Sequence, residues 1–220
     1  DNYHNGEDFL DELLATVPGE RFKAQELRGE FIDVQGPGFP EFDPRIHIRM
    51  PPEGMKVKMR VIGIDFGTIS PTAMEEFVLL EDGRIQGTWE FYQRNANEKQ
   101  IYEALATRPK SHILVDPSSG GEYGLIKFLN RQGVNARPAP AKDWGIRFRL
   151  LGARLAARPP AIFFSPEQRN LISEVENLAF AETKNGEVLL DMWEKGAVDH
   201  GYDALAYGLM KLDPAMNKVP

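Results

Sequence analysis

At 220 residues, with a formal charge of −7 and no cysteine, the chain has room for one ordinary domain plus an appendage. The missing cysteines exclude disulfides, zinc–thiolate sites and thiol nucleophiles, and the acidic balance argues against a general polyanion binder. No apolar run approaches a membrane span, and the polar, acidic start reads as neither signal peptide nor anchor. The charge is uneven, however. Residues 137–158 hold Arg137, Lys142, Arg147, Arg149, Arg154 and Arg158 against the single acid Asp143. Such a strip reads either as a solvated helix face or as a seat for a phosphate backbone.

In chain order, residues 1–31 read as helical over 7–14 and 20–28, broken by Pro18-Gly19. Residues 33–57 are rich in proline and glycine and read as an extended linker lying on a surface. The compact part starts near Lys56. Arg60–Asp65, Ala73–Leu80 and Arg84–Tyr92 read as strands, the last two joined by the turn signal Glu81-Asp82-Gly83. A helix over Asn97–Thr107 follows, then a buried strand His112–Val115, a helix Gly121–Gln132 stopped by Gly133, and a strand Val134–Pro138. Further elements are a helix Trp144–Ala157, a strand Ala161–Phe164, and a helix Pro166–Asn177 with Ser165 as N-cap and Pro166 at its first position. A hairpin is expected around Lys184-Asn-Gly186, and the last helix runs from about His200 to Lys211. The order β-β-β-α-β-α-β-α predicts an α/β mixed sheet flanked by helices, the arrangement of ribonuclease H-like domains, although other α/β folds fit the same string.

Two apolar strands end in aspartate, at Asp65 and Asp116. In neighbouring strands both carboxylates would face one crevice at the strand ends. Each alone also suits a turn former or helix cap. A third acidic group, Asp199-His200-Gly-Tyr-Asp203, opens the last helix. Asp199 and Asp203 are four apart and share a face, as do His200 and Asp203 at three, while Asp199 alternatively caps the helix. Converging carboxylates repel, so either one is protonated or cations neutralise them. Oxygen donors with few histidines favour Mg²⁺ or Mn²⁺, and two such ions about 3.5–4 Å apart could clamp a phosphodiester.

Several segments of the chain resemble the C-terminal nuclease domain of tailed-bacteriophage large terminases, the DNA-packaging subunits. Gly63-Ile-Asp-Phe-Gly67 with Ser70-Pro-Thr-Ala73 is similar to the family's first acidic motif, and Val115-Asp-Pro-Ser-Ser119 to its second. Lys142-Asp-Trp-Gly-Ile146 resembles its middle segment, and Asp199-His-Gly-Tyr-Asp-Ala-Leu-Ala-Tyr207 its terminal metal motif. The stretch Glu20–Phe31 resembles the joint between the family's ATPase and nuclease domains.

The resemblance implies a ribonuclease H-like nuclease over 58–220. Residues 1–57 would be an arm from an N-terminal ATPase domain, whose Gly-x-x-x-x-Gly-Lys-Ser/Thr signature is absent here. It implies two-metal cleavage of double-stranded DNA concatemers during viral genome packaging in the host cytoplasm, with the small terminase subunit and portal protein as partners. Asp65, Asp116 and Asp203 would be the metal ligands and catalytic acids. His200 would match members with a histidine three residues before the last acid, and Asp199 an additional acid found in some. For phosphate contact the candidates are Lys142, Arg147 and Lys184. Trp144 either presses on a sugar or packs in the core. Two rival readings are another ribonuclease H-like enzyme, such as a Holliday-junction resolvase, and a lobe of the actin and sugar-kinase type, in which the loop after the first strand cradles phosphates.

Overall fold

A computed structural model describes residues 37–67, 69–117, 124–140 and 144–212. The expected helices over 7–14 and 20–28 lie outside these residues. Strands β1 (Val57–Asp65), β2 (Pro71–Leu80) and β3 (Ile85–Arg94) form an antiparallel meander. Its second turn follows the sequence signal: Gly83 takes φ +85°, and the Asp82 carboxylate accepts the Arg84 N–H at 3.0 Å. Every residue of β2 is buried, as befits a strand covered by helices on both faces.

From β3 the chain enters α/β alternation. Helix α2 (Glu98–Ala106) starts on a reciprocal capping box between Asn97 and Gln100. Strand β4 (His112–Val115) then lies parallel to β1, with Ile62 opposite Ile113 and Ile64 opposite Val115. Helix α3 (Gly124–Arg131) leads to β5 (Ala136–Pro138), parallel to β4. Helix α4 (Trp144–Ala156) crosses to β6 (Ile162–Phe163) beyond β3, completing a sheet of order β5-β4-β1-β2-β3-β6. Helix α5 (Arg169–Asn177), the hairpin β7 (Phe180–Glu182) and β8 (Val188–Trp193), and helix α6 (His200–Leu212) finish the described chain.

Alternation along the strands sorts the core into two layers. Ile62, Ile64, Met74, Ile113 and Val115 pack with Ile101, Leu125 and Leu129 of α2 and α3. Val61, Phe77, Leu79 and Leu114 pack with α4, α5 and α6. Phe39, from the expected linker, is 2% exposed and stacks on Phe148 with centroids 5.0 Å apart. That segment also forms a one-turn helix, α1 (Pro44–His47), where an extended stretch was expected. Ile48 bridges to Phe164, and Arg49 donates to the Phe164 carbonyl at 3.0 Å, closing the β6 edge.

The start of α5 also corrects the sequence reading. Ser165 and Pro166 form a turn: the Ser165 hydroxyl accepts the Glu167 N–H at 3.3 Å, and the helix begins at Arg169 with Gln168 at the N-cap. Gln168 is drawn inward by other bonds, accepting the Ser165 N–H at 3.0 Å and donating to the Glu75 carboxyl at 2.8 Å.

The closest approach of helix to sheet is α6 on β1. A Cβ on Gly63 would stand 1.8 Å from the Ala204 carbonyl oxygen, a backbone atom that cannot step aside. Gly63→Ala should therefore force α6 away from the sheet and cost more than about 3 kcal/mol, beyond ordinary overpacking. Urea unfolding of the variant checks this, and a midpoint shift corresponding to less than about 1 kcal/mol would contradict it.

Candidate metal centre

Asp65 is the last residue of β1, and Asp116 directly follows β4. Its N–H extends the parallel ladder by donating to the Ile64 carbonyl at 3.0 Å. The two acids are thus neighbours across adjacent strands. Val61 and Leu114 point to the α6 side, and period-two alternation carries Asp65 and Asp116 to the same side. Helix α6 lies across this face with its N-terminus at the strand ends. His200 at its first position brings Nδ1 to 2.8 Å from Asp65 Oδ2. Asp203, one turn on, meets Arg147 of α4, whose Nη1 donates to Oδ1 at 2.8 Å.

The electrostatics confirm that these groups share one crevice. Burial pushes the Asp203 carboxyl up to about 7; Arg147 opposes this, while Asp199, Asp65 and Asp116 add to it. Burial also raises the Asp199 carboxyl, opposed by His200 and reinforced by Asp65. His200 is raised by its hydrogen bond to Asp65 against the opposing effect of burial. One guanidinium and one imidazole do not offset four carboxylates. Among the described residues no three acidic or imidazole side chains are already drawn into a cage, because Asp203 turns to Arg147 and Asp65 to His200. The donor chemistry, four carboxylates and one imidazole, nonetheless fits a hard divalent cation.

Asp65, Asp116, Asp199, His200 and Asp203 therefore meet, as their spacing suggested. The residues expected at phosphates are scattered. Arg147 is inside the crevice, paired with Asp203. Trp144 is a packing residue, stacked on Phe148 at 5.3 Å and edge-on to Trp193 at 4.8 Å, which leaves no ring face for a sugar. Lys184 is exposed in the β7–β8 turn, and Lys142 lies outside the described residues. Sequence reasoning missed Glu174 and Tyr92, which stand beneath the start of α6. The available signal was an acid at position 174, on the buried stripe of α5 that Leu171 and Val175 define.

Because the folded-state pKa of Asp203 is raised, its ionisation costs stability above the unfolded value, and fully so above about 7. In a chelating buffer, Asp203→Asn should raise the thermal midpoint at pH 8 relative to the parent, with about 2–4 °C per kcal/mol gained. The difference should vanish near pH 4. Thermal scans at both pH values check this, and an equal effect at both would contradict it.

No known protein-family model matches the chain, and no curated protein matches it in sequence. Solved structures do match in shape. The full-length large terminase of a thermophilic bacteriophage superposes with a TM-score of 0.74 at 20% identity, covering 96% of this chain and 52% of its own. The chain thus spans about half the length of that protein. The nuclease domain of the P22 large terminase gives 0.65 at 16% identity, covering 80% of this chain and 92% of its own. The large terminase nuclease of another thermophilic phage, G20c, with bound cobalt gives 0.61 at 17%, covering 80% and 98%, and its magnesium-bound form gives 0.60 at 16%. The fold of this chain is that of large-terminase nuclease domains, a ribonuclease H-like mixed sheet flanked by helices.

Proposed function

We propose that this chain is the nuclease portion of a large-terminase-type protein and hydrolyses phosphodiesters of double-stranded DNA with divalent cations. The observation that carries this reading is the meeting of Asp65, Asp116 and Asp203, with Asp199 and His200, at the strand ends of a fold shared with terminase nucleases. Neighbours with bound cobalt and magnesium support divalent metal use. Asp65, central in the crevice, would bridge two ions, while Asp116 and Asp203 would each favour one. When bound, magnesium or manganese would supply an acidified water and neutralise charge on the phosphate and the leaving oxygen. Hydrolysis joins the water oxygen to phosphorus and breaks the bond to the 3′ oxygen, leaving a 3′-hydroxyl and a 5′-phosphate. His200 holds Asp65 in place. Arg147 puts a guanidinium beside Asp203, where it would meet non-bridging oxygens of the phosphate.

In this reading the activity cuts concatemeric viral DNA during packaging in the host cytoplasm. An ATPase domain would precede the nuclease in the whole protein, and the small terminase subunit and portal would be its partners. Among the described residues no helix is long and apolar enough to cross a membrane. Plasmid digestion with Mg²⁺ or Mn²⁺ tests the chemistry: Asp65→Ala and Asp203→Ala should each lower nicking by about a hundredfold or more, on the scale at which single catalytic groups act. Parental rates in either variant would sink the reading.

A cleft of about 710 Å³ supports a duplex seat. Lys58, Arg60, Lys110, His112, Arg137 and Lys211 line it, with no acid among its described lining residues. It runs beside the C-terminal half of α6 along β4 and β5, and Pro138, opposite Val115, sets its upper end next to Asp116. Arg60 is engaged by Glu76. Lys58, Lys110 and Arg137 would supply phosphate contacts in place of the scattered residues expected from the sequence. Replacing these three with alanine should flatten the slope of log K against log salt by about 2–3, near 0.9 per lost contact. Duplex binding titrations over a salt series check this, and an unchanged slope would remove the cleft from the reading.

A further inference from the structure

Helix α6 begins at His200, so its first turn carries His200 and Asp203, and its leading N–H groups have no acceptor within the helix. A different element meets them. Glu174 of α5 accepts the Tyr202 N–H through Oε2 at 2.9 Å, and the Gly201 N–H also bonds to this carboxylate. Its other oxygen accepts the Tyr92 hydroxyl, on β3, at 2.8 Å. The contact is close because residue 201 is glycine: a Cβ there would stand 3.0 Å from Glu174 Oε2 and 3.2 Å from the Leu171 Cα.

The start of α5 is held in the same way. Its N-cap residue, Gln168, makes no side-chain cap bond. Glu90 of β3 fills the role, accepting the Asn170 N–H at 3.2 Å, the Leu171 N–H at 2.9 Å and the Asn170 amide at 2.7 Å. Two carboxylates in series thus tie the sheet to α5 and α5 to α6. Neither takes part in the chemistry proposed above. Glu174 is 5% exposed, and a carboxyl so deeply buried costs stability that an apolar residue would not.

We infer that Glu174 is a positioning residue for the acidic crevice: by anchoring the first turn of α6 to α5 and β3, it sets where His200 and Asp203 stand relative to Asp65. This rests on the nuclease reading for its effect on rate. Free helix ends fray, and a frayed first turn would carry both side chains out of register. Glu174 acts on their placement and leaves the duplex cleft untouched.

The test is steady-state duplex cleavage with saturating Mn²⁺, well below the unfolding temperature. Glu174→Ala should lower kcat about tenfold or more, since a displacement near 1 Å suffices for such losses, with KM for DNA unchanged within about twofold. Glu174→Gln keeps an acceptor for the Tyr202 N–H and should recover most of the rate. Asn97→Ala removes the cap of α2, on the opposite face of the sheet, and should lose stability while keeping the parental kcat. A folded Glu174→Ala protein with parental kcat, or an equal loss in Asn97→Ala, would overturn the inference.

If Glu174→Ala does not fold, Tyr92→Phe is read in the same assay. It should fall about threefold, in line with one lost hydrogen bond to a charged group, and a parental kcat would overturn the inference. A second readout does not depend on cleavage. In metal-free protein, the imidazole proton of His200 that faces Asp65 should give a protected NMR resonance in the parent and lose it in the variant. An inactive parent in which the variant still loses this proton would sink the nuclease reading and support the positioning role. Retention of the proton in the variant would sink the positioning role.

Discussion

Everything at the crevice depends on how near α6 comes to β1. The helix rests its backbone on the strand at Gly63, with the Ala204 carbonyl occupying the space where any other residue would keep its first side-chain carbon. Gly208, one turn further along, continues the contact against Val61. Helix–sheet packing through side chains would hold the axis farther out. Here the short separation lets a residue at the very start of the helix touch a residue at the very end of the strand, which is how His200 reaches Asp65. Small residues at this seam thereby set the dimensions of the acidic site, although they carry no chemistry.

Negative charge is managed in two different ways within one protein. Glu76, fully buried in β2, is neutralised by Arg60 at 3.0 Å and Arg108 at 2.7 Å and accepts the Thr88 hydroxyl as well. Its neighbour Glu75 faces the other side. Burial, reinforced by Glu90, raises its carboxyl well above the usual range against a single amide bond from Gln168. Around Glu75 lie Glu90 and Glu174, both turned to helix starts, where partial positive charge accumulates. The structural acids thus find cations or helix ends. The crevice acids share one guanidinium and one imidazole among four, and this deficit is what marks them as a functional set.

The parts of this architecture that follow from local pattern were readable. Alternation and turn residues gave the meander, the Glu81–Gly83 turn and the Lys184–Gly186 hairpin, because each rests on neighbours in the chain. The strand-end aspartates and the acid-rich opening of the last helix were readable as a group, because a parallel crossover leaves few ways to arrange them. Arg147 was recognised as a cation near the crevice but not as a partner of Asp203, since that pairing depends on how α4 crosses α6. Trp144 was ambiguous for the same reason: its stacking partners Phe148 and Trp193 come together only in the tertiary fold. Glu174 was passed over because sequence shows an acid on an apolar stripe as an inconsistency and cannot name the distant N–H groups that resolve it. At Ser165-Pro166 a strong local start signal lost to the long-range bonds that pull Gln168 inward.

The margins of the sheet have a bearing on how such chains behave when crowded together. The outermost strands, β5 and β6, are three and two residues long. Proline closes β5 at Pro138, and the stretch Ile48–Arg49 already occupies the hydrogen-bonding side of Phe164 beside β6. Neither border presents a free row of backbone groups for a foreign strand to zip onto. Neighbouring copies of the described body would therefore meet through side chains on helical and hairpin surfaces, a mode that can be tuned residue by residue and reversed, rather than through sheet growth, which is indifferent to sequence and hard to undo.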